Sequence, residues 1–140
     1  MRMKYLFVAS AVAVALGLST RPVLAHHSFA AEFDANSPVT LKGTITKMEW
    51  INPHSWIYLD VKNSDGSTTN WAVEAGAPNA MFRRGWNMNS IQVGTEVVID
   101  GYRAKNGKNI ANGKEVTLPD GKKLFVGSTG TGAPYEEKKP

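Results

Sequence analysis

The sequence predicts an all-β domain with one short helix, arranged as an OB-like five-stranded barrel. Short segments of alternating apolar and polar residues follow one another and are separated by Gly, Pro and Asp turn signals. Three such segments, one helical segment and two further strands is the element order of an OB-type barrel. An open β-sandwich has the same alternation and remains the alternative. The 140 residues include no cysteine, which excludes disulfides and thiolate-bound metals.

Residues 1–25 are predicted to be a cleavable export signal. Arg2 and Lys4 precede an apolar run over 5–18, and the segment closes with small residues ending at Ala25. The run is shorter than the roughly 20 residues that a membrane-spanning helix needs. We therefore expect a single periplasmic or secreted domain, with no membrane anchor after the signal is cleaved.

Removal of the leader also changes the charge balance. The leader carries three of the 16 basic residues and none of the 12 acidic ones, which leaves 13 basic residues against 12 acidic ones. The remaining basic residues are scattered, whereas nucleic-acid binding needs a clustered basic face. Nucleic acid is therefore not an expected partner.

The first half of the mature chain is predicted to be an N-terminal arm followed by three strands. Residues 26–38 form the arm, and we expect Phe29 and Phe33 to pin it to the domain. Met48 and Trp50 stand at the opposite parity to the earlier apolar residues of their strand, which predicts a bulge or a bend. The three strands are predicted over 39–50, 55–62 and 69–75.

The second half is predicted to contain the helix and the remaining strands. Residues 77–85 suit a short helix, because Pro78 fits its first turn and Gly85 fits its end. Strands are predicted over 96–104 and 110–118, with a last short segment over 122–126. The β domain thus covers 39–126. Residues 127–140 are rich in Gly, Thr, Pro and charge and are predicted to be a mobile tail.

His26 and His27 are the candidate metal ligands, because cleavage after Ala25 makes His26 the first residue. A terminal histidine can chelate Cu(II) with its amine and its ring. Alternatively, the amine, the His27 amide and the His27 ring can form the chelate. The amine must lose its proton, so the affinity for copper should fall in acid. The competing interpretation is an incidental His-His pair that binds copper weakly, as many peptides do.

His54 is the third histidine and stands at the start of the second predicted strand, on the same face as Trp56 and Tyr58. It supplies a third copper nitrogen if the arm folds back. The alternative is a histidine that caps the preceding turn or packs on a tryptophan. Glu32 and Asp34 are candidate acceptors for the second N–H of a ligating imidazole, or else simply solvated acids.

A second kind of site uses the aromatic residues. Trp56 and Tyr58 on one outward face can stack on a sugar, a peptide or an aromatic ligand, and Arg83 and Arg84 can clamp a ligand carboxylate. Alternatively, the aromatic rings pack against the arm and the helix. For the arginines, the alternative is that one of them caps the helix carbonyls or pairs with Glu74.

No catalytic motif is present, since nucleophile-elbow, phosphate-loop, zinc-helix and dinucleotide patterns are all missing. An enzyme is therefore not predicted. The exception is oxidative copper chemistry at a histidine brace, in which a terminal histidine chelates copper with its amine and ring.

Five short motifs together resemble an uncharacterised family of small exported bacterial proteins, a domain of unknown function. They are HHSF at 26–29, EWINPH at 49–54, WAVE at 71–74, RRGW at 83–86 and GYRA at 101–104. The resemblance covers nearly all of the mature chain. It implies a secreted bacterial β domain and supplies no activity.

Three hypotheses about function follow. The first is a non-enzymatic periplasmic protein that binds Cu(II) through His26, His27 and His54. The second is a module that binds a small molecule, a peptide or a glycan on the face of Trp56 and Tyr58. The third is a structural domain that contacts an unidentified protein of the cell envelope.

Overall fold

The computed structural model describes residues 28–136, which form a mostly β structure with two short helices. The elements are α1 (Phe29–Glu32), β1 (Phe33–Glu49), β2 (Trp56–Lys62), β3 (Thr68–Glu74), α2 (Pro78–Arg83), β4 (Glu96–Ala104), β5 (Ile110–Thr117) and β6 (Lys123–Phe125). Neither helix within 28–136 is long and apolar enough to cross a bilayer. The predicted β-rich class is confirmed, and α1 is an element that the sequence pattern did not predict.

The six strands form one sheet in the order β3-β2-β1-β4-β5-β6, and each neighbouring pair is antiparallel. In addition, the end of β3 pairs in parallel with the start of β5, where Val73 lies opposite Ala111. This extra ladder closes β1 to β5 into a ring of five strands. The short strand β6 extends the sheet beyond β5.

The main apolar core is built from the alternation that the sequence shows. Ile57 and Leu59 on β2 and Val73 on β3 are fully buried, whereas the residues between them on β2 are half-exposed. The pairing of β1 with β2 shifts register between Ile45 and Lys47, which is the irregularity that the change of parity predicted. The long β1 therefore contributes to the ring on both sides of this bulge.

The helix α2 begins and ends where its local signals indicate. Pro78 occupies the first turn, and Gly85 follows the helix with a φ of 94°, a left-handed conformation that glycine adopts without strain. Met81 is completely buried in the main core. The indole N–H of Trp86 donates to the Phe125 carbonyl at 2.8 Å, which ties the end of α2 to β6.

The predicted N-terminal arm is shorter in the structure, because β1 begins at Phe33 rather than at residue 39. Phe33 pairs with Ala104 of β4, and an irregularity separates this pair from the regular ladder that starts at Pro38. Residues 34–37 show no apolar alternation, so the sequence pattern gave no sign of this early pairing. Phe29 and Phe33 are buried, as expected, with their rings 5.7 Å apart.

The segment 127–136 differs from the mobile tail that its composition predicted. Ser128, Thr131 and Ala133 are buried, and Ala133 joins Phe29 and Phe33 in a second, smaller apolar cluster. Composition is a poor guide here because a few well-placed side chains anchor the segment. The β domain therefore extends beyond residue 126.

Candidate functional site

His54 lies where two segments distant in sequence meet. It follows the Asn52–Pro53 peptide bond, which is cis, and precedes β2. Its side chain is 12 % exposed. The ring Nδ1 lies 3.3 Å from the Ala75 carbonyl oxygen, just after β3, and 3.2 Å from the Ser128 Oγ of the C-terminal segment.

These contacts favour one tautomer of the His54 ring. A carbonyl oxygen can only accept a hydrogen bond, so Ala75 calls for a proton on Nδ1. The Ser128 hydroxyl donates to the same carbonyl at 3.3 Å, which leaves its lone pairs to accept from Nδ1–H. Both neighbours therefore place the proton on Nδ1 and leave Nε2 with its lone pair.

A row of polar groups extends from His54 through the buried Glu74 and Asn112 to Tyr135. Glu74 Oε1 lies 3.8 Å from His54 Nδ1 and accepts a hydrogen bond from Asn112 Nδ2 at 3.3 Å. The Tyr135 hydroxyl donates to Asn112 Oδ1 at 2.7 Å. Glu74 and Asn112 are 8 % and 1 % exposed. Burial raises the pKa of Tyr135 to about 12, so its phenol remains a protonated donor at neutral pH.

A small cavity of about 150 Å³ lies beside His54. Its lining residues are Pro53, His54, Gly76, Ala77, Ala80, Ser128, Thr129 and Thr131. The backbone N–H of Phe29 donates to the Thr131 carbonyl at 2.8 Å. The N-terminal end of the described chain is therefore fixed to a residue that also lines the His54 cavity.

His26 and His27 lie outside the described residues, so the structure does not place them. Within 28–136, no three His, Asp or Glu residues are grouped so that they could hold a metal ion.

The predicted acceptors Glu32 and Asp34 lie in other surroundings. Asp34 Oδ1 accepts the Asn36 N–H at 2.9 Å, and Glu32 lines a different cavity, beside Trp56. The acceptors in contact with His54 Nδ1 are instead Ala75 and Ser128, with the Glu74 carboxylate nearby. Glu74 carried a weak signal in the sequence, since it is an acid flanked by two apolar residues at the end of a strand.

A model of a family of unknown function, DUF6152, matches residues 14–114. The chain belongs to the DUF6152 family. No curated protein and no solved structure matches it. In this DUF6152 chain the matched region includes His54, Glu74 and Asn112 and ends before Ser128 and Tyr135, which complete the polar row.

The aromatic pair proposed as a second site in this DUF6152 protein is divided between two surroundings. Trp56 is half-buried and lines a cavity of about 530 Å³. The lining residues are Ala31, Glu32, Phe33, Trp56, Ala104, Lys105, Asn106 and Ile110. Tyr58 lies outside this lining, and its hydroxyl donates to Glu49 Oε2 at 2.9 Å. Lys47 pairs with the same Glu49 and lies over the Tyr58 ring.

The two arginines at the end of α2 are also separated. Arg83 is exposed, whereas Arg84 donates from Nη1 to the Gly127 carbonyl at 2.9 Å. The Arg84 guanidinium also lies 4.8 Å from the centre of the Phe125 ring. Arg84 thus satisfies a backbone carbonyl, as one interpretation expected, but the carbonyl belongs to the C-terminal segment rather than to the helix.

Proposed function

We propose that this DUF6152 member is an exported, non-enzymatic protein that binds one Cu(II) ion. The ligands are the amine and ring of His26, together with His27, and Nε2 of His54. The observation that carries the proposal is the hydrogen bond from Phe29 N–H to the Thr131 carbonyl, because Thr131 and His54 line the same cavity.

The length of chain between Phe29 and His26 limits where the copper site can lie. Three residues of polypeptide span at most about 11 Å, so a copper site that includes His26 must lie within that reach of Phe29, whose N–H is anchored at Thr131. An imidazole reaches several ångströms further from its backbone. A copper–nitrogen bond is about 2 Å long, by analogy with zinc–nitrogen bonds. Coordination by the terminal histidines and His54 together is therefore compatible with the anchored arm.

The chemistry of His54 supports the same proposal. A metal-bound histidine usually donates its second N–H to a carbonyl or a carboxylate, and Nδ1 of His54 has the Ala75 carbonyl, Ser128 Oγ and Glu74 beside it. That arrangement leaves Nε2 for the metal. Among divalent first-row metals, Cu(II) binds nitrogen donors most tightly, and no thiolate is present to favour another metal.

Export and the barrel topology belong to the same proposal. A free amine on His26 requires removal of residues 1–25, as their export-signal pattern predicts. An OB-like barrel is supported by the closed ring of five strands, by the parallel β3–β5 ladder and by the position of α2 between β3 and β4. An open sandwich would lack the closing ladder.

The test is a Cu(II) titration, by calorimetry and EPR, of protein whose intact mass shows His26 as its first residue. We expect one tight equivalent with a nitrogen-rich spectrum. A methionine placed before His26 should abolish tight binding, because it removes the chelating amine. His54→Ala should weaken the affinity by about tenfold or more, as the loss of one donor predicts.

Phe82→Ala is the control variant, because Phe82 is 39 % exposed on α2 and stacks on Trp50 rather than on the arm. It should leave copper binding unchanged. Tight binding that survives the added methionine would contradict the terminal site. Unchanged affinity in His54→Ala would contradict the third ligand and leave only the terminal chelate.

A second candidate function is the binding of a small amphipathic molecule beside Trp56. The 530 Å³ cavity falls within the range of ligand sites, and its lining combines apolar residues with the polar residues Glu32, Lys105 and Asn106, as such sites do. The copper titration separates the two functions, since weak binding by the processed protein would leave the Trp56 cavity as the remaining site.

A further inference from the structure

We propose that residues 127–136 form a clamp that holds the N-terminal arm against the His54 cavity, with Glu136 as its positioning residue. The consequence for copper rests on the proposed function. The anchoring of the arm is independent of the proposed function, and it can be measured without metal.

Glu136 organises the turn at residues 130–132. Its Oε2 accepts the Gly130 N–H at 3.0 Å, and its Oε1 accepts both the N–H and the hydroxyl of Thr131 at 2.9 and 2.8 Å. Gly130 and Gly132 both have a φ of 78°, in the left-handed region that glycine tolerates. Successive N–H groups in such a turn form a concave site for an anion, and the Glu136 carboxylate fills it.

Thr131 connects the turn held by Glu136 to the arm. Its N–H and its hydroxyl are held by Glu136, while its carbonyl accepts the N–H of Phe29 at 2.8 Å. A turn that rotates away from Glu136 carries the Thr131 carbonyl with it. The hydrogen bond that fixes the arm at Phe29 therefore depends on the Glu136 carboxylate.

The same segment contacts the His54 side of the site. Ser128 lies against the His54 ring, and the Tyr135 hydroxyl donates to Asn112 in the buried polar row. The Tyr135 ring lies 6.3 Å from Tyr102, which in turn packs edge-on against Phe29 at 5.5 Å. One short segment thus contacts both the arm and the surroundings of His54.

The charge state of Glu136 agrees with this geometry. Partial burial acts to raise the pKa of the Glu136 carboxyl, but the hydrogen bonds from Thr131 and Gly130 outweigh it and hold the pKa below its usual value. The ionised carboxylate is therefore the form that fits the turn at neutral pH. An amide in its place accepts weaker hydrogen bonds through its single oxygen and turns a donor NH2 group towards the remaining backbone N–H.

The experiment measures hydrogen exchange of the Phe29 amide by NMR in the metal-free processed protein. Glu136→Gln should speed this exchange by about tenfold, because hydrogen bonds to a charged acceptor are replaced by neutral ones. Glu115→Gln is the matched control, since it removes one carboxylate that pairs with Lys123 on the neighbouring strands. It should leave the Phe29 amide unchanged.

A second variant guards against a general loss of structure in Glu136→Gln. Thr131→Val removes the hydroxyl that bonds to Glu136 and keeps the backbone, so Phe29 exchange should rise by a smaller factor. Copper affinity, measured on the same proteins, should fall in the order of these exchange rates. Phe29 exchange that stays at its original rate in both variants would overturn the clamp.

Two further outcomes separate the clamp from the copper site. Faster Phe29 exchange with undiminished affinity for copper would overturn the link between clamp and metal. If the original protein shows no tight copper binding, the proposed function fails. The exchange rates then still decide whether the clamp exists.

Discussion

Ser55 and Ser128 are two buried serines with opposite hydrogen-bonding states. Ser55 is fully buried, and its Oγ is the buried side-chain polar atom in residues 28–136 that has no hydrogen-bond partner. Ser128 is 6 % exposed, and its hydroxyl bonds to the Ala75 carbonyl and to the His54 ring. The Ser55 hydroxyl loses its hydrogen bonds to water on folding and gains none within the protein. The Ser128 hydroxyl gains two hydrogen bonds in place of those to water.

Opposite effects on stability follow at these two positions. Ser55→Ala removes an unsatisfied group and should raise the free energy of unfolding by about 1 kcal/mol. Ser128→Ala should lower it by about 1–2 kcal/mol, because it deprives Ala75 and His54 of a partner. Urea denaturation of the two variants checks this. A loss of stability in Ser55→Ala would show that its hydroxyl has a partner in solution.

The sequence located His54 as a candidate site residue but not the groups that orient its ring. Its position after Asn52-Pro53 at the start of a strand was a local signal, and the structure keeps that placement. Ser128 is 74 positions further along the chain. A pattern of local alternation holds no information on such a contact, so the favoured tautomer of His54 could not be predicted.

The helix and the strands show where local signals suffice at the level of elements. Proline at the start and glycine at the end predicted a helix over 77–85, and α2 occupies Pro78–Arg83. The regular alternation in β2 to β5 placed each strand to within about one residue. Residues 33–38 lack that alternation, so the early start of β1 was not predicted. The helix α1 is only four residues long, which is too short to show a helical period in the sequence.

The packing of α2 on the core can be tested with two adjacent residues. Met81 is completely buried, whereas Phe82 is 39 % exposed. Met81→Ala should lower the free energy of unfolding by about 3 kcal/mol, since it removes buried apolar area and leaves a cavity. Phe82→Ala should cost less than about 1.5 kcal/mol, because its ring is partly in solvent and rests on Trp50. Thermal denaturation that shows the same loss of stability in both variants would contradict this placement of the helix.

At the scale of the whole molecule, the antiparallel pairing of neighbouring strands can be predicted from the sequence more readily than the contacts that close the ring. β4 and β5 follow one another after a short turn, so their pairing follows from local order. In the parallel ladder of β3 and β5, Ala72 lies opposite Ile110, although α2 and β4 stand between the two strands in the sequence. The same limit applies to 127–136, whose composition resembles a tail although its contacts are those of a packed segment.

Truncation tests whether residues 127–136 belong to the folded domain. A chain that ends at Val126 loses Ala133 and Tyr135 from the apolar cluster around Phe29 and loses the acceptor for the Phe29 amide. Because these side chains lose their buried contacts and the hydrogen bonds are broken, the free energy of unfolding should fall by at least about 3 kcal/mol.

For a domain of this size, that loss corresponds to a fall in Tm of about 12 °C or more. A chain that ends at Glu136 is the matched control, since it retains every contact that the structure describes for residues 127–136, and its Tm is the reference for the shorter chain. Because the truncation exposes Phe29 and removes Thr131, which accepts the Phe29 N–H, it should also release the arm. Equal Tm values for the two truncated chains would mean that the segment adds no stability to the domain.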